Sequence, residues 1–538
     1  MKITFVGADH EVTGSCHYLE AAGKKILIDC GMEQGRDDFE NIPIPANPGD
    51  IDYVFLTHAH IDHSGNLPLL SAQGFKGHIY ATQATCDLCD IMLLDSAHIQ
   101  EFEAEWRNRK GQRADKPAYE PPYTVQDATN VLQRFIPCSY NTYVNVCDGI
   151  RIRFTDVGHL LGSSFIEVCV TENGEETKIV FSGDVGNINQ PILKDPAPLD
   201  EADYLLIEST YGDRSHGPRV DYAAELAKVI QRTFERGGNV VVPSFAVGRT
   251  QEILYFIRQI KQQHLINGFD DFEVYVDSPL AVRATTIYND HNLDCFDDEA
   301  RELICKGINP IAFHGLKLAI TSDESRAINV DTKPKVIISA SGMCEAGRIK
   351  HHLKHNLWRP DSTILFVGYQ AVGTLGRALV DGAGEVKLFG ENIVVKAEVL
   401  SLPGISGHAD REGLIRWGAT LKNKPKKVFV VHGDDEVVEP FAHLLTEELG
   451  WDTMAPYSGT VYDLTANECV FEAEPHPTAK KTEADRKTDG GMRADALFTR
   501  LLNAAEKLLA IVRRSEGYAN KDLKKMVKDI EAFNEKWE

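Results

Sequence analysis

The 538-residue sequence lacks the long apolar runs of a membrane protein. No stretch approaches the roughly 18 consecutive apolar residues that predict a transmembrane helix. The N-terminus, MKITFVGADHEVTG, turns polar after a few residues and has no apolar core of the kind found in secretory signals. Neither membrane insertion nor export is therefore expected.

Cysteine pairs with the spacing of a metal clip are scarce. The eleven cysteines are scattered, and the one CxxC, Cys86 and Cys89, falls in TCDLCDIMLLDSAHIQ, a stretch that predicts a helix. Thiols three residues apart on such a helix are expected to pack in the core rather than to bind a metal. This use of cysteine fits a reducing cytoplasm.

Basic residues are also fewer than acidic residues. The chain has 57 Lys and Arg against 80 Asp and Glu, for a net charge of −23. This balance argues against a general nucleic-acid-binding surface, although it leaves room for a locally positive groove. The length predicts roughly two or three domains.

The order of predicted elements indicates one domain split by another. Residues 1–210 combine strands with helices expected outside them, whereas residues 211–390 repeat strand, small-residue loop and helix, which predicts a parallel, doubly wound sheet. The strands of this insert are NVVVP (239–243), EVYVD (273–277), KVIIS (335–339) and TILFV (363–367). Strands VVKAEVLSL (394–402) and KKVFVVHG (426–433) are expected to return to the first domain, which residues 391–471 complete.

The C-terminal part predicts a linker and a helical hairpin. Residues 472–492 are polar and without periodicity, as in a linker. Residues 493–538 predict two helices with the apolar stripes Leu497/Leu501/Leu508/Ile511 and Leu523/Val527/Ile530/Trp537. Two such helices make a marginal core alone, so the stripes need a partner. We expect a second copy of the chain, hence a homodimer; the alternative is docking on the protein's own catalytic domain.

Histidines and carboxylates follow many of the predicted strands. THAHIDHSG (57–65) places three histidines and an aspartate directly after an apolar run, and further donors end other strands: Asp29, His159, Asp184, Glu208 and His432. Neutral imidazole and carboxylate are good zinc ligands. The donors outnumber the needs of one tetrahedral ion, so the sequence predicts two metals, which a carboxylate such as Asp184 can bridge.

Several motifs resemble a known family. THAHIDHSG resembles the HxHxDH signature of the metallo-β-lactamase superfamily, whose fold is an αββα sandwich. The repeated insert, with ESTYG (208–212), SGHAD (406–410) and VVHG (430–433), resembles the β-CASP branch of nucleic-acid-processing nucleases. GADHEVTGSCHYLE, PSFAVGRTQEIL, SASGMCEAGR and GYQAVGTLGR are most similar to its RNA-cleaving members, the cleavage and polyadenylation specificity factor endonuclease and its prokaryotic counterparts. The implied fold class is α/β: the sandwich, an inserted doubly wound β-CASP domain and the C-terminal hairpin.

The resemblance, which covers about residues 1–470, implies the roles of individual side chains. Two zinc ions, or alternatively manganese, would be held by one set made of His58, His60, His159 and Asp184 and a second made of Asp62, His63, Asp184 and His432. Asp29 would support the site through hydrogen bonds. His408 would act as the general acid that protonates the leaving 3′ oxygen, and Glu208 would orient it; together with Asp62 they are the implied catalytic residues.

The last histidine motif bears on the substrate. RNA-acting members of the family carry histidine at the position of His432, whereas DNA-repair members carry valine. The implied activity is hydrolysis of single-stranded RNA by a hydroxide that two metals activate, internally, from a 5′ end, or both. The alternatives are a DNA-repair nuclease of the same branch, a small-molecule hydrolase of the thioester type, and a degenerate scaffold subunit. The insert and the His408 motif argue against the second, and the complete ligand set argues against the third.

Glycine-rich loops of the insert are candidates for phosphate binding. Residues 331–360 hold six Lys or Arg against two acidic residues, and the turns after the insert strands offer backbone N–H groups to an anion. The predicted RNA contacts are Arg249, Ser341, Gly342, Arg348, Thr374 and Arg377. The alternative is that these loops are tight turns in which glycine serves packing.

Overall fold

The computed structural model describes residues 1–478 except 36–38, 113–117, 218–219, 290–292, 372 and 403–405, together with 512, 521, 524–528, 530 and 531. It divides into two units, Met1–His476 and Pro477–Glu538. The predicted hairpin lies largely outside the described residues; of it, residues 524–528 are helical.

The first part of the chain builds one sheet and its outer helices. Its elements are β1 (Lys2–Gly7), β2 (Cys16–Ala21), β3 (Lys24–Ile28), β4 (Tyr53–Phe55), α1 (Ile61–Ser64), α2 (Leu67–Ala72), β5 (His78–Thr82), α3 (Gln83–Gln112), α4 (Val125–Leu132) and β6 (Phe135–Cys138). Cys86 and Cys89 lie on α3 as predicted, and burial raises the pKa of both thiols. Cys89 lies in the hydrophobic core, and Cys86 packs against it.

The following strands build most of the second sheet. They are β7 (Val144–Cys147), β8 (Ile150–Asp156), β9 (Ser164–Glu172), β10 (Glu175–Phe181) and β11 (Tyr204–Glu208). The pairs β8–β9 and β9–β10 are antiparallel, and β10–β11 is parallel. The carboxyl ends of β8, β10 and β11 consequently lie at the same edge of the sheet.

The insert has the predicted doubly wound form. Its elements are α5 (Tyr222–Glu235), β12 (Val240–Pro243), α6 (Arg249–Gln262), β13 (Glu273–Val276), α7 (Pro279–Asn289), α8 (Asp298–Cys305), β14 (Leu316–Leu318), α9 (Ser322–Val330), β15 (Lys335–Ser339), α10 (Ile349–Asn356), β16 (Thr363–Phe366), α11 (Leu375–Val380), β17 (Glu385–Leu388), β18 (Glu391–Val394) and β19 (Glu398–Ser401). Within the described residues, six of these strands form a parallel sheet in the order β14-β13-β15-β12-β16-β19. Alternate side chains of β12 and β15 enter two different hydrophobic clusters, because apolar helices cover both faces.

One strand lies in a different sheet from the one expected. The segment VVKAEVLSL (394–402) was predicted to return to the first domain, but β19 pairs with β16 in the sheet of the insert. The prediction is wrong for this strand, because an apolar alternating run specifies a strand without specifying its neighbour.

The chain then returns to the sandwich. The remaining elements are α12 (Arg411–Gly418), β20 (Lys427–Val431), α13 (Asp435–Leu449), β21 (Thr453–Met454), β22 (Val461–Asp463) and β23 (Glu468–Phe471). In the part of the chain that is described, the two sheets have the orders β23-β22-β1-β2-β3-β4-β5-β6 and β21-β20-β11-β10-β9-β8-β7. Large apolar side chains fill the space between them, among them Phe5, Phe154 and Phe429. With α12 and α13 packed outside the second sheet, the predicted αββα sandwich is confirmed.

The end of the sandwich extends into the predicted linker. The backbone N–H of Ala473 donates to the Thr460 hydroxyl at 3.1 Å, and the N–H of Glu40 donates to the His476 carbonyl at 2.8 Å. The first and last residues of 473–476 are therefore hydrogen-bonded to the sandwich. Among the described helices, none is both long and apolar enough to cross a membrane.

Candidate metal centre

The donors predicted at the strand ends come together at one edge of the sandwich. His159, Asp184 and His432 follow β8, β10 and β20, while Glu208 is the last residue of β11. The motif THAHIDHSG leaves β4 of the opposite sheet and starts α1, in which His60 is the N-cap. The site thus lies where the ends of the two sheets face each other.

A first group of donors has the spacing of ligands around one ion. It consists of His58, His60, His159 and Asp184. Nδ1 of His60 lies 3.1 Å from Nε2 of His58 and 3.2 Å from Nε2 of His159. Oδ2 of Asp184 is 3.4 Å from each of these Nε2 atoms. For bonds of about 2.0–2.2 Å, two ligands of a tetrahedral ion lie about 3.3–3.6 Å apart, so the group fits a metal such as zinc.

A second group shares the carboxylate of Asp184. His63 and His432 place their Nε2 atoms 3.1 Å apart, and these lie 3.2 and 3.6 Å from Oδ1 of Asp184. Asp62 completes the group, with Oδ2 3.8 Å from Nε2 of His432. One oxygen of Asp184 thus faces each group, as a bridging ligand requires. Oδ1 of Asp184 is buried and has no hydrogen-bond partner, which suits an atom that binds a cation.

Hydrogen bonds hold the histidines in the orientation of ligands. Nδ1 of His63 lies 2.7 Å from Oδ2 of Asp29, Nδ1 of His159 lies 3.1 Å from the Gly407 carbonyl, and Nδ1 of His432 lies 3.2 Å from the Thr210 hydroxyl. Because carboxylate and carbonyl oxygens accept, Nδ1 of His63 and of His159 carries a proton and Nε2 faces the cluster; in the neutral ring this Nε2 keeps its lone pair.

Two kinds of histidine are present. Burial, reinforced by neighbouring histidines, lowers the pKa of His58 and His159 and lowers the pKa of His60 to about 3. Burial also disfavours charge on His63 and His432, but nearby carboxylates together outweigh it and raise the pKa of both. These are Asp184 and Asp29 for His63, and Asp184 and Asp62 for His432. Three imidazoles are therefore neutral and ready to bind a metal, while an ion at the second group would displace protons.

His408 lies at the rim of the first group. Its Nδ1 is 3.2 and 3.3 Å from the two oxygens of Glu208, and its ring centroid is 4.5 Å from that of His159. Glu208 is fully buried, and the N–H groups of Val185 and Thr210 donate to its carboxylate at 2.5 and 3.2 Å. These two hydrogen bonds fix the Glu208 carboxylate, which in turn orients His408. Nε2 of His408 lies 4.0 Å from Asp184, so these three residues also form a potential ligand group.

The predicted RNA contacts occupy several different environments. Three of them are arginines that pair with acids of the same domain: Arg249 with Glu252, Arg348 with Asp277 at 2.7 Å, and Arg377 with Asp381 at 2.9 Å. The Arg348 guanidinium also donates to the carbonyls of Ala319 and Ile320. These hydrogen bonds stabilise the structure of the insert.

The other predicted contacts lie in tight loops. Thr374 caps α11 by accepting the N–H of Arg377, and the Ser341 hydroxyl lies 3.3 Å from the backbone N and O of Ala346. A Cβ on Gly342 would lie 3.0 Å from the ring of Phe245. Glycine therefore serves packing here, as the alternative interpretation of these loops held.

Two residues around His408 were not expected from the sequence. Nε2 of His216 lies 2.9 Å from the His408 carbonyl, and the Tyr211 ring centroid is 5.9 Å from that of His408. Tyr211 belongs to the ESTYG motif, which drew attention only to Glu208. His216 lies in a polar loop without periodicity, so no sequence signal singles it out.

Three family models match successive parts of the chain. They are described as the metallo-beta-lactamase superfamily (residues 11–232), the Beta-Casp domain (residues 250–379) and the Zn-dependent metallo-hydrolase RNA specificity domain (residues 392–456). The first covers the donor-bearing half of the sandwich, and the second covers most of the insert.

The matches to individual relatives cover most of the length of each relative. Ribonuclease TTHA0252 of Thermus thermophilus is 36% identical over 446 residues, which are 83% of this chain and 96% of that protein. The transcription termination factor FttA of Methanocaldococcus jannaschii is 30% identical, over 85% of this chain and 70% of its own. An RNase J-like protein from the same organism is 30% identical, over 85% and 99%. The chain belongs to the β-CASP branch of the metallo-β-lactamase superfamily, as an RNA-processing nuclease of that family.

Proposed function

We propose that the protein is a zinc-dependent ribonuclease that hydrolyses phosphodiester bonds of single-stranded RNA. The observation that carries this proposal is the carboxylate of Asp184, with one oxygen facing each of two donor groups. Bound there, two divalent ions would supply Lewis acidity and an activated water at neutral pH. Imidazole-rich donor sets favour zinc over manganese.

Residues of the chain bind the ions, orient the ligands and donate the proton. The histidines of the two groups, Asp62 and Asp184 would hold the ions, and Asp29 keeps His63 in place. His408, protonated beside Glu208, gives its proton to the 3′ oxygen that leaves. Burial of Asp184 and Glu208 excludes bulk water from these interactions, which strengthens them. Within the insert, Arg249 in the first turn of α6 and Arg377 in α11 are the proposed phosphate contacts.

A substrate panel tests this function. We expect purified protein reconstituted with zinc to cleave a single-stranded RNA faster than the DNA of the same sequence, and to leave a thioester intact. Comparing 5′-labelled with internally labelled RNA distinguishes cutting from the 5′ end from internal cutting. Preferential DNA cleavage would instead favour the repair-nuclease alternative, and hydrolysis of the thioester alone would contradict a nuclease of any kind.

The sequence of the C-terminal region motivates a separate prediction. The apolar stripes of residues 493–538 are proposed to associate with a second copy of the chain. Deleting residues 477–538, which removes the second unit, is expected to convert a dimer to a monomer in light scattering, with cleavage of short RNA retained. An unchanged oligomeric state would show that the hairpin does not mediate dimerisation.

A further inference from the structure

Phe245 and Tyr369 are two of the aromatic side chains that are exposed on loops of the insert. Phe245 follows β12 and is 47% exposed, and Tyr369 follows β16 and is 54% exposed. Single exposed aromatic residues are common and need no explanation. These two differ because a chain of contacts connects each of them to the metal centre.

The first half of this chain of contacts runs from the first donor group to Phe245. A Cβ on Gly248 would lie 3.2 Å from the side chain of Leu160, the neighbour of His159. Gly248 begins α6, and the hydroxyl of Thr250 in its first turn donates to the Phe245 carbonyl at 2.6 Å. The backbone of Phe245 is thereby fixed relative to the metal loop.

A third loop, which carries Gly342, joins the loops of the two rings. Gly342 packs against the ring and the backbone nitrogen of Phe245. The side-chain amide of Gln370 donates both to the Gly342 carbonyl, at 3.1 Å, and to the Tyr369 carbonyl, at 3.0 Å. A buried amide therefore ties the Tyr369 loop to the loop beneath Phe245.

A further path of contacts leads from the metal centre to an arginine. The Arg214 guanidinium lies 5.3 Å from the centre of the Tyr211 ring, and Tyr211 meets His408 edge-on. Because His408 contacts His159, one path of contacts leads from Arg214 past the metal centre to both exposed rings.

We propose that Phe245 and Tyr369 are a stacking platform for the unpaired bases of an RNA strand whose phosphate lies at the metal centre. This inference rests on the proposed function. The path of contacts also includes Arg214, which suits a polyanion, and an aromatic ring stacks on the face of any base. The occupant is thus single-stranded RNA, gripped without regard to its sequence. A base-paired strand keeps its faces covered and cannot use the platform.

Steady-state cleavage of a single-stranded oligoribonucleotide by the zinc-loaded enzyme tests the platform. Phe245→Ala and Tyr369→Ala are each expected to lower kcat/KM about 5- to 150-fold, the range for loss of one stacked base. Phe245→Tyr and Tyr369→Phe keep a ring and should retain most of the activity. Phe389→Ala is the matched control, because Phe389 is 52% exposed in the same domain but outside this path of contacts; it should cleave like wild type.

Abasic nucleotides provide a second readout that general damage to the fold would not imitate. One abasic position near the cut should slow the wild type, and the same substitution should cost nothing further in the alanine variant that has lost the matching ring. Alanine variants that cleave as fast as wild type, or an abasic penalty that is equal in wild type and variants, would overturn the platform alone. A wild type that does not cleave RNA would overturn the proposed function together with it.

Discussion

Replacing Asp184 by alanine is expected to abolish metal-dependent cleavage, down to the level of wild-type protein treated with a chelator. Asp184 is 1% exposed, and its two oxygens face different donor groups. Its removal leaves each group one ligand short and leaves the buried imidazoles of both groups without their shared anion. We therefore expect loss of both ions in elemental analysis, not of one.

Asp9 provides the matched control for this prediction. Its side chain is likewise 1% exposed, and neither carboxylate oxygen has a hydrogen-bond partner. Burial, with Glu11 nearby, raises its pKa well above the usual range, so Asp9→Ala removes a buried acid without removing a ligand. This variant should keep two ions per chain. Two ions retained by Asp184→Ala, or no more than one in zinc-supplemented wild type, would refute the bridge.

His408→Ala is expected to keep both metals and lose about 10²- to 10⁴-fold in turnover, the usual size of a general-acid contribution. The geometry separates this residue from the ligands: Nδ1 is held by Glu208, and Nε2 lies 4.0 Å from the nearest oxygen of Asp184. Equal loss of metal and activity would instead make His408 a metal ligand, which its grouping with Asp184 and Glu208 allows.

The pH dependence of turnover gives an independent check on His408. Burial alone would lower its pKa, but the carboxylates of Glu208 and Asp184 outweigh burial and raise it to about 9. A general acid works while protonated, so turnover should fall as the pH rises through this pKa; bound cations repel the imidazolium and move the fall below pH 9. Glu208→Gln removes the larger attraction and should shift the alkaline limb to lower pH. An unmoved limb would assign it to another group.

The sequence indicates several of the donors that the structure brings together, because they lie shortly after a short apolar strand. His159, Asp184 and His432 could be located without knowing the fold, since the carboxyl ends of neighbouring parallel strands meet at one edge. The sandwich and the insert follow from the same alternation of strands and helices. The sequence motifs, in turn, indicate the family to which this fold belongs.

Pairings between distant segments could not be predicted in this way. The sequence around Arg348 suggests a free cation in a basic stretch, yet its partner Asp277 lies 71 residues away at the end of another strand. Strand β19 likewise has an ordinary strand pattern, and only its pairing with β16 assigns it to the insert. Phe245 and Tyr369 look like core residues in sequence, because an isolated aromatic residue after a buried strand carries no sign of its exposure.

The pairing of β1 with β22 has a consequence for biosynthesis. Lys2 lies opposite Asp463, so β1 gains this neighbour only when almost the entire sandwich has been translated. The first donor group lies between residues 58 and 184, whereas His408 and His432 emerge much later. A nascent chain thus carries all four donors of the first group long before it carries His408 and the last donor of the second group.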